Sequence, residues 1–595
     1  MGTQLQRCGL KPGEKPEVFG MNHPDEVAAI QSRYISAGSD IIYANTFGVN
    51  SHKYAQTNYS VADVVSANIA IARRAAAAAD HPVRVALDIG PIGELMQPLG
   101  TLSFDEAYDV FREIVCAGEK AGADLVVFET MTDLYEVKAG VLAAKENTSL
   151  PVWVTMTFEK SGRTFAGVTP AAMALTLDGL GVDAMGVNCS LGPSDLVPIV
   201  KEILEWTAKP VIVKPNAGLP DPRTGLYALT PERFARQMSV FPDLGIFILG
   251  GCCGTTPAFI SALKERCGEL ISGISSNAAD ESKVPACSGI RKRSVRRGIS
   301  SAGRTAELNG HILVVGERIN PTGKKRFQQA LREHDMNYVM KCAIEQAEAG
   351  ADILDINVGL PGADEAALMR DVVRAVQSVT DLPLQIDSGT PEVIESGLRA
   401  VNGRAIVNSV NADRERCNAV LPIVRKYGAC VVGLALKKSG MPSTAQERFE
   451  NALGILKMCE EYGIPKEDII IDCLALTISA QQNQAMETLH AIEKVHRELG
   501  VHCTLGVSNI SFGLPERTCI TQNFLSQAMF CGLDLPIVNP NNQSVMDTVA
   551  SFRALSGEDE ACAGYISRFS GRQAENAGIM PAGGDSSGSH LLSGT

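Results

Sequence analysis

Three cysteines carry the most specific chemistry in the chain. Cys189 closes the run DAMGVNCS at 183–190, and Cys252 and Cys253 close GIFILGGCCG at 245–254. Adjacent side chains on a regular strand point to opposite faces. The glycines at 250, 251 and 254 permit a non-β turn through which both sulfurs of the pair could converge on the third. Three thiolates around one point suit Zn²⁺ and leave a fourth position open, as catalytic zinc requires. A thiol arriving there would lose its proton and become a nucleophile. The ligands are far apart in sequence and form no CxxC pair. Spacing alone therefore leaves open a second reading, three core cysteines packed as small hydrophobes.

A second set lies further along. Asp387, Asn408, Asp472 and Asn509 also stand at the ends of apolar runs. Buried Asp and Asn need partners, and a flat heterocycle with amide, amine and ring nitrogens offers both donors and acceptors. A pterin-like pocket is one reading. A pocket for another ligand, or hydrogen bonds that only tie loops together, are the others. The corresponding positions elsewhere hold Asn45, Asp88, Glu129 and Asn216, then Glu317, Arg318, Asn320, Asn357, Ser508 and Asn539.

These residues need a scaffold that gathers strand ends. Residues 1–274 contain seven Val- and Ile-rich runs, from DIIYANTF at 40–47 to GIFILGGCCG, each followed by turn residues and a helical pattern. Residues 305–570 contain eight, from HILVVGERIN at 311–320 to LPIVNP at 535–540. Continuous apolar strands alternating with helices predict a parallel sheet covered on both faces. The expectation is α/β, with two (β/α)₈ TIM barrels in tandem, the first lacking its first strand. A doubly wound open sheet is the competitor. Residues 275–304, rich in Ser, Gly and charge, read as a linker, and the basic residues Arg291, Lys292, Arg293, Arg296 and Arg297 as its solvated face. Residues 571–595 read as a disordered tail.

Composition narrows the function classes. The chain has 595 residues, a formal charge of −13, 45% hydrophobic and 20% charged residues. The acidic balance argues against nucleic-acid binding. No apolar run is long enough for a membrane span, and no signal segment opens the chain. The expected setting is cytoplasmic, with the 16 cysteines mostly reduced.

Across nearly all of both regions the sequence resembles cobalamin-dependent methionine synthases, in their N-terminal half. The matching stretches include MGTQLQ, AGSDIIYANTFGVN, DIGPIGE, FETMTD, GVNCSLGP, KPNAGLP and GGCCGTTP, then GERINPTGKKRF, AGADILDINVG, IDSGTPEVIESGL, IVNSVN and GVSNISFGLPER. The resemblance implies a homocysteine module followed by a methyltetrahydrofolate module. It makes Cys189, Cys252 and Cys253 zinc ligands. Glu129 and Asn216 would hold the amino-acid end of homocysteine. Asn320, Asp387, Asn408, Asp472, Asn509 and Arg517 would form the folate site. Asp387, Asn408 and Asp472 would face the pterin, Asn509 would act in catalysis near the methyl-bearing nitrogen, and Arg517 would meet the tail. The implied reaction moves a methyl group from methyltetrahydrofolate through a corrinoid to homocysteine.

Departures from the family sharpen these expectations. The family's first strand and its Asp precede the Met-Gly-Thr match, so a start assigned too late is expected. Lys437 and Lys438 stand where Asp is common, and Cys473 where Pro usually follows the Asp472 match. None of the nine His has Asp two positions before it, as a cobalt-ligand motif requires. The corrinoid, cobalamin or another, is therefore expected on a separate protein. Two alternatives compete: a corrinoid methyltransferase with another thiol or donor, and an impaired subunit that only binds folate or zinc.

Overall fold

The computed structural model describes residues 2–220, 223, 227–275 and 295–576. The Val- and Ile-rich runs become parallel strands buried on both faces, with helices packed outside each sheet and side chains filling its inside. The first seven are β1 (Ile41–Tyr43), β2 (Arg84–Ile89), β3 (Leu125–Met131), β4 (Val152–Met156), β5 (Ala184–Asn188), β6 (Val211–Lys214) and β7 (Ile248–Leu249). They pair in chain order, and no pairing joins β7 to β1 among the described residues. Helix starts are locally encoded. Ser103 and Glu106 form a reciprocal capping box at Phe104–Lys120, and Thr444 and Glu447 do the same at Ala445–Glu461.

Two short strands come next, β8 (Gly298–Ser301) and β9 (Thr305–Glu307). The second barrel then uses β10 (Val315–Ile319), β11 (Ile353–Asn357) and β12 (Leu384–Asp387). A two-residue strand, β13 (Gly403–Arg404), interrupts, and β14 (Ile406–Asn411), β15 (Cys430–Leu434), β16 (Ile469–Asp472), β17 (His502–Gly506) and β18 (Leu535–Val538) complete the series. β10–β12 and β14–β18 form a closed barrel. Neighbours in both sheets follow chain order, which excludes the doubly wound alternative, whose order reverses. The tandem arrangement is as expected, with seven strands in the first sheet and eight in the second.

The expected linker needs correction. β8 pairs antiparallel with β9 and with β13, forming a small sheet between the barrels. Arg296 donates its backbone N–H to the Glu205 carbonyl at 2.8 Å and lies over the Trp206 ring. Arg297 lies 3.3 Å from the Asp178 carboxylate. Arg297 is half-buried rather than solvated, whereas Arg296 stays exposed, as expected. Ser- and Gly-rich composition hides this hairpin because its partners are remote residues rather than an apolar periodicity of its own. Arg291, Lys292 and Arg293 lie outside the described residues. The helix Ala563–Asn576 enters the expected tail, and residues 577–595 lie outside the described ones.

The barrels are locked together by buried groups. Gly428, at φ 63°, caps the helix Arg414–Tyr427. A Cβ there would sit 2.0 Å from the Gly179 carbonyl carbon of the first barrel, so only glycine permits the approach. Lys138 is 1% exposed. It donates to the carbonyls of Leu398 at 2.6 Å and Val401 at 2.7 Å, capping the C-terminus of a second-barrel helix. Burial pulls its ammonium down to about 7. Arg404 is equally enclosed and donates to the Gly428 and Gly298 carbonyls and the Asp468 carboxylate.

Candidate metal centre and active site

The three cysteines meet. Their sulfurs all lie within 4.8 Å of one another, with Cys189 Sγ 3.7 Å from Cys253 Sγ. Each side chain is half-buried. The turns that achieve this are not quite those expected. Cys189 and Ser190 take left-handed φ values of 62° and 54°, and Gly254 takes 80°, whereas Gly250 and Gly251 do not. Gly251 is instead needed for contact, since a Cβ there would lie 2.5 Å from Thr255.

Backbone and side-chain bonds hold the cluster in place. Cys189 N–H donates to the Lys214 carbonyl at 3.0 Å, and Cys252 N–H to the Pro215 carbonyl at 2.8 Å. Asn216 Oδ1 accepts from Cys253 N–H at 3.0 Å. Asn188 Oδ1 accepts from Thr130 N–H, while its amide donates to Thr130 Oγ1 and approaches Cys252 Sγ at 3.7 Å. The Cys189 contact and burial push the Cys252 thiol up to about 12. At Cys189, the Cys252 contact lowers the pKa, but the Cys253 contact and burial outweigh it. Clustered soft thiols on a half-open mouth, without hard oxygen ligands among them, fit Zn²⁺. Metal binding there would have to displace protons.

Beside the sulfurs lies an ion pair that sequence reasoning missed. Lys214 Nζ bonds the Glu129 carboxylate and stands 3.9 Å from the Tyr43 ring centroid. Attraction to Glu129 raises the Lys214 pKa despite the opposing cost of burial. Tyr43 is pushed up to about 12 by burial. Asp88, 5% exposed, faces the same charges, and burial followed by the charge of Glu129 lifts its carboxyl well above the usual range. Glu129 thus stands close enough to the sulfurs for its charge to act on Cys252, and it is already paired with Lys214. Asn216 is committed through its carbonyl to the Cys252–Cys253 loop. The signal for Lys214 was available: it sits two residues before Asn216, on the same face of the run.

In the second barrel, register gathers the predicted residues. Asn357 pairs with Asp387 and Asp387 with Asn408 across neighbouring strands. Asp387 Oδ2 accepts from Asn357 Nδ2 at 2.9 Å, and burial raises its carboxyl. Asp472 Oδ1 accepts from Leu474 N–H at 2.7 Å, and burial lifts it to about 6. Beneath them lies Asp355, also missed, which accepts from Gln385 Nε2 at 2.7 Å. Asp355 lies two residues before Asn357, so strand alternation places it on the same face. Asn320 sits past β10, and its Oδ1 accepts from Thr322 N–H. Asn509 is exposed on a 3₁₀ turn, Val507–Ser511, rather than on a strand. Arg517 is exposed too, donating to the Ser508 carbonyl at 2.7 Å and to Ser511 Oγ at 3.2 Å. Ser508 Oγ donates to Glu317 and ties that turn to β10.

Residues 1–267 match the homocysteine S-methyltransferase family. Residues 316–539 match the pterin binding enzyme family. The methionine synthases of Mycobacterium leprae and Mycobacterium tuberculosis are each 31% identical over 91% and 92% of this chain, but over only 46% and 48% of their own lengths. The chain resembles the N-terminal half of methionine synthases. A region matching the homocysteine S-methyltransferase family is followed by one matching the pterin binding enzyme family, and the chain spans about half the length of these relatives. Among solved structures, the metallated homocysteine methyltransferase MmuM of Escherichia coli aligns at 22% identity and a TM-score of 0.39, over 45% of this chain and 93% of that one. Dihydropteroate synthase of Xanthomonas albilineans aligns at 22% identity and a TM-score of 0.35, over 44% and 98%. No helix among the described residues is long and apolar enough to cross a membrane.

Proposed function

We propose that the chain transfers a methyl group from 5-methyltetrahydrofolate, by way of a corrinoid on a separate protein, to zinc-bound homocysteine, giving methionine and tetrahydrofolate. The functional units are the homocysteine module, residues 1–274, and the pterin module, residues 305–570, in a cytoplasmic setting. The observation that carries this reading is the convergence of three thiols within 4.8 Å at one barrel mouth. Cys189, Cys252 and Cys253 would hold zinc, which supplies there the positive charge that keeps a homocysteine thiol ionised at neutral pH.

The chain's own residues do the positioning. Asn188 and Asn216 fix the sulfurs from behind, one through Cys252 Sγ and the other through the Cys253 backbone. Glu129 supplies charge for the amino-acid end of the substrate. In the second mouth, Asp387, Asn408 and Asp472 present acceptors to the donor edge of a pterin. A ring amine leaves a methyl group readily only when it carries positive charge. Asn509, on its exposed turn beside Ser508 and Arg517, would hydrogen-bond such a nitrogen while water supplies the proton. Asn320 would border the pterin, and Arg517 would meet the anionic folate tail. The corrinoid's part rests on family resemblance.

The test is direct. Zinc-loaded protein given homocysteine and methylcobalamin should form methionine, measured by mass spectrometry. Cys253→Ala should abolish this while leaving methyltetrahydrofolate binding intact. Methylation by that variant at the wild-type rate would refute the reading.

A further inference from the structure

We propose that Lys214 and Asp88 are specificity-determining residues of the first mouth. Lys214 receives the α-carboxylate of the acceptor, and Asp88, with Glu129, receives its α-ammonium, so that only thiols bearing an α-amino-acid end are accepted. This rests on the reading of that mouth as a thiol-methylating site.

Position is the first support. β5 and β6 pair Asn188 with Lys214, and the Lys214 carbonyl accepts from Cys189 N–H. The residue that steadies a metal-facing cysteine through its backbone thus carries its ammonium into the same mouth. Valence is the second. A lysine ammonium has three N–H donors. Glu129 takes one and the Tyr43 ring face occupies another direction, leaving one for a ligand. Lys214 and Glu129 are 11% and 13% exposed, so a carboxylate arriving there would be largely desolvated and its ionic hydrogen bond strengthened.

Asp88 is the third support. It pairs in register with Val127 on β3, two positions before Glu129. Its Oδ1 is buried and has no hydrogen-bond partner among the described residues. A buried carboxylate oxygen left unpaired is costly, and an incoming ammonium would satisfy it. A zwitterion brings both missing partners at once, whereas a plain thiol brings neither.

Three acceptors separate the contributions: homocysteine, 3-aminopropanethiol, which lacks only the carboxylate, and 4-mercaptobutanoate, which lacks only the amine. Each is assayed on zinc-loaded protein with methylcobalamin, and its binding is measured by calorimetry without methyl donor. In the wild type, deleting either group should weaken binding and kcat/KM by about thirtyfold or more. In Lys214→Met the carboxylate should cease to matter while the amine still does. In Asp88→Asn the amine should count severalfold less, Glu129 alone remaining to receive it, while the carboxylate counts as before, and zinc content should stay stoichiometric in both variants. Equal losses for all three thiols in both variants would reduce these residues to a structural role and overturn the inference. A wild type that methylates all three thiols equally well would overturn it while leaving the methyltransferase reading standing. A wild type that methylates none would refute that reading and the inference with it.

Discussion

The two barrels share a strand order and place their polar residues at the same ends of their strands, yet they differ in closure and in chemistry. The second is a complete ring of eight strands, and its mouth is lined by Asp and Asn in register on adjacent strands. The first is a curled sheet of seven strands with a seam between β7 and β1. Its mouth is built from left-handed turns, three sulfurs and a buried ion pair. A flat hydrogen-bonding ligand can be met by regular strand ends, since β register already spaces the acceptors. A tetrahedral metal cannot, because alternation would send Cys252 and Cys253 apart. The backbone has to leave the β region to bring them together.

The largest effect that could break this comparison is at the three sulfurs. Cys252→Ala should lose stoichiometric zinc and lower homocysteine methylation by about a thousandfold or more, read by metal analysis and methionine formation. Methyltetrahydrofolate affinity should stay within about twofold. A matching loss of folate binding would mean that the two mouths are one site.

Next in size is the join between the barrels. Arg404→Leu strands Asp468 as a buried carboxylate without its cation, and should destabilise the protein by about 3–5 kcal/mol in denaturant titration. Zinc content of the folded fraction should not change.

A smaller effect sharpens the chemistry of the second mouth. Asp472 is raised to about 6 by burial. A pterin donating hydrogen bonds to it favours the ionised form. Methyltetrahydrofolate affinity should therefore be full above that value and fall as pH drops through it, approaching tenfold per pH unit. Asp472→Asn should flatten that dependence. An unchanged slope in the variant would show that this carboxylate does not face the ligand.

The smallest effect concerns closure. Hydrogen exchange should protect β10 and β18, which pair on both sides, about tenfold better than β1 and β7 at the seam. Equal protection would mean that something other than a strand closes the first sheet.

Much of the fold was legible because alternation of apolar runs with helices is a local pattern. All seven runs of the first region and all eight of the second became strands. The hairpin β8–β9 was not legible, since Ser300 reaches a residue 104 positions away and no local periodicity records such a partner. Within the sites, Cys189, Cys252, Cys253, Asp387 and Asp472 stood out as polar residues ending apolar runs. Lys214 and Asp355 did not, because they sit inside those runs and only strand alternation relates them to the polar residues two places on.

What the sequence determined by itself is the βα rhythm of two modules and the identity of the donor atoms offered at their strand ends. The tertiary structure alone decided that three sulfurs share one point, that Glu129 meets Lys214 rather than solvent, and that Gly428 seats against Gly179. Each of these is a distance between residues remote along the chain. Such distances are set by register, turn conformation and packing together, and no local propensity encodes them.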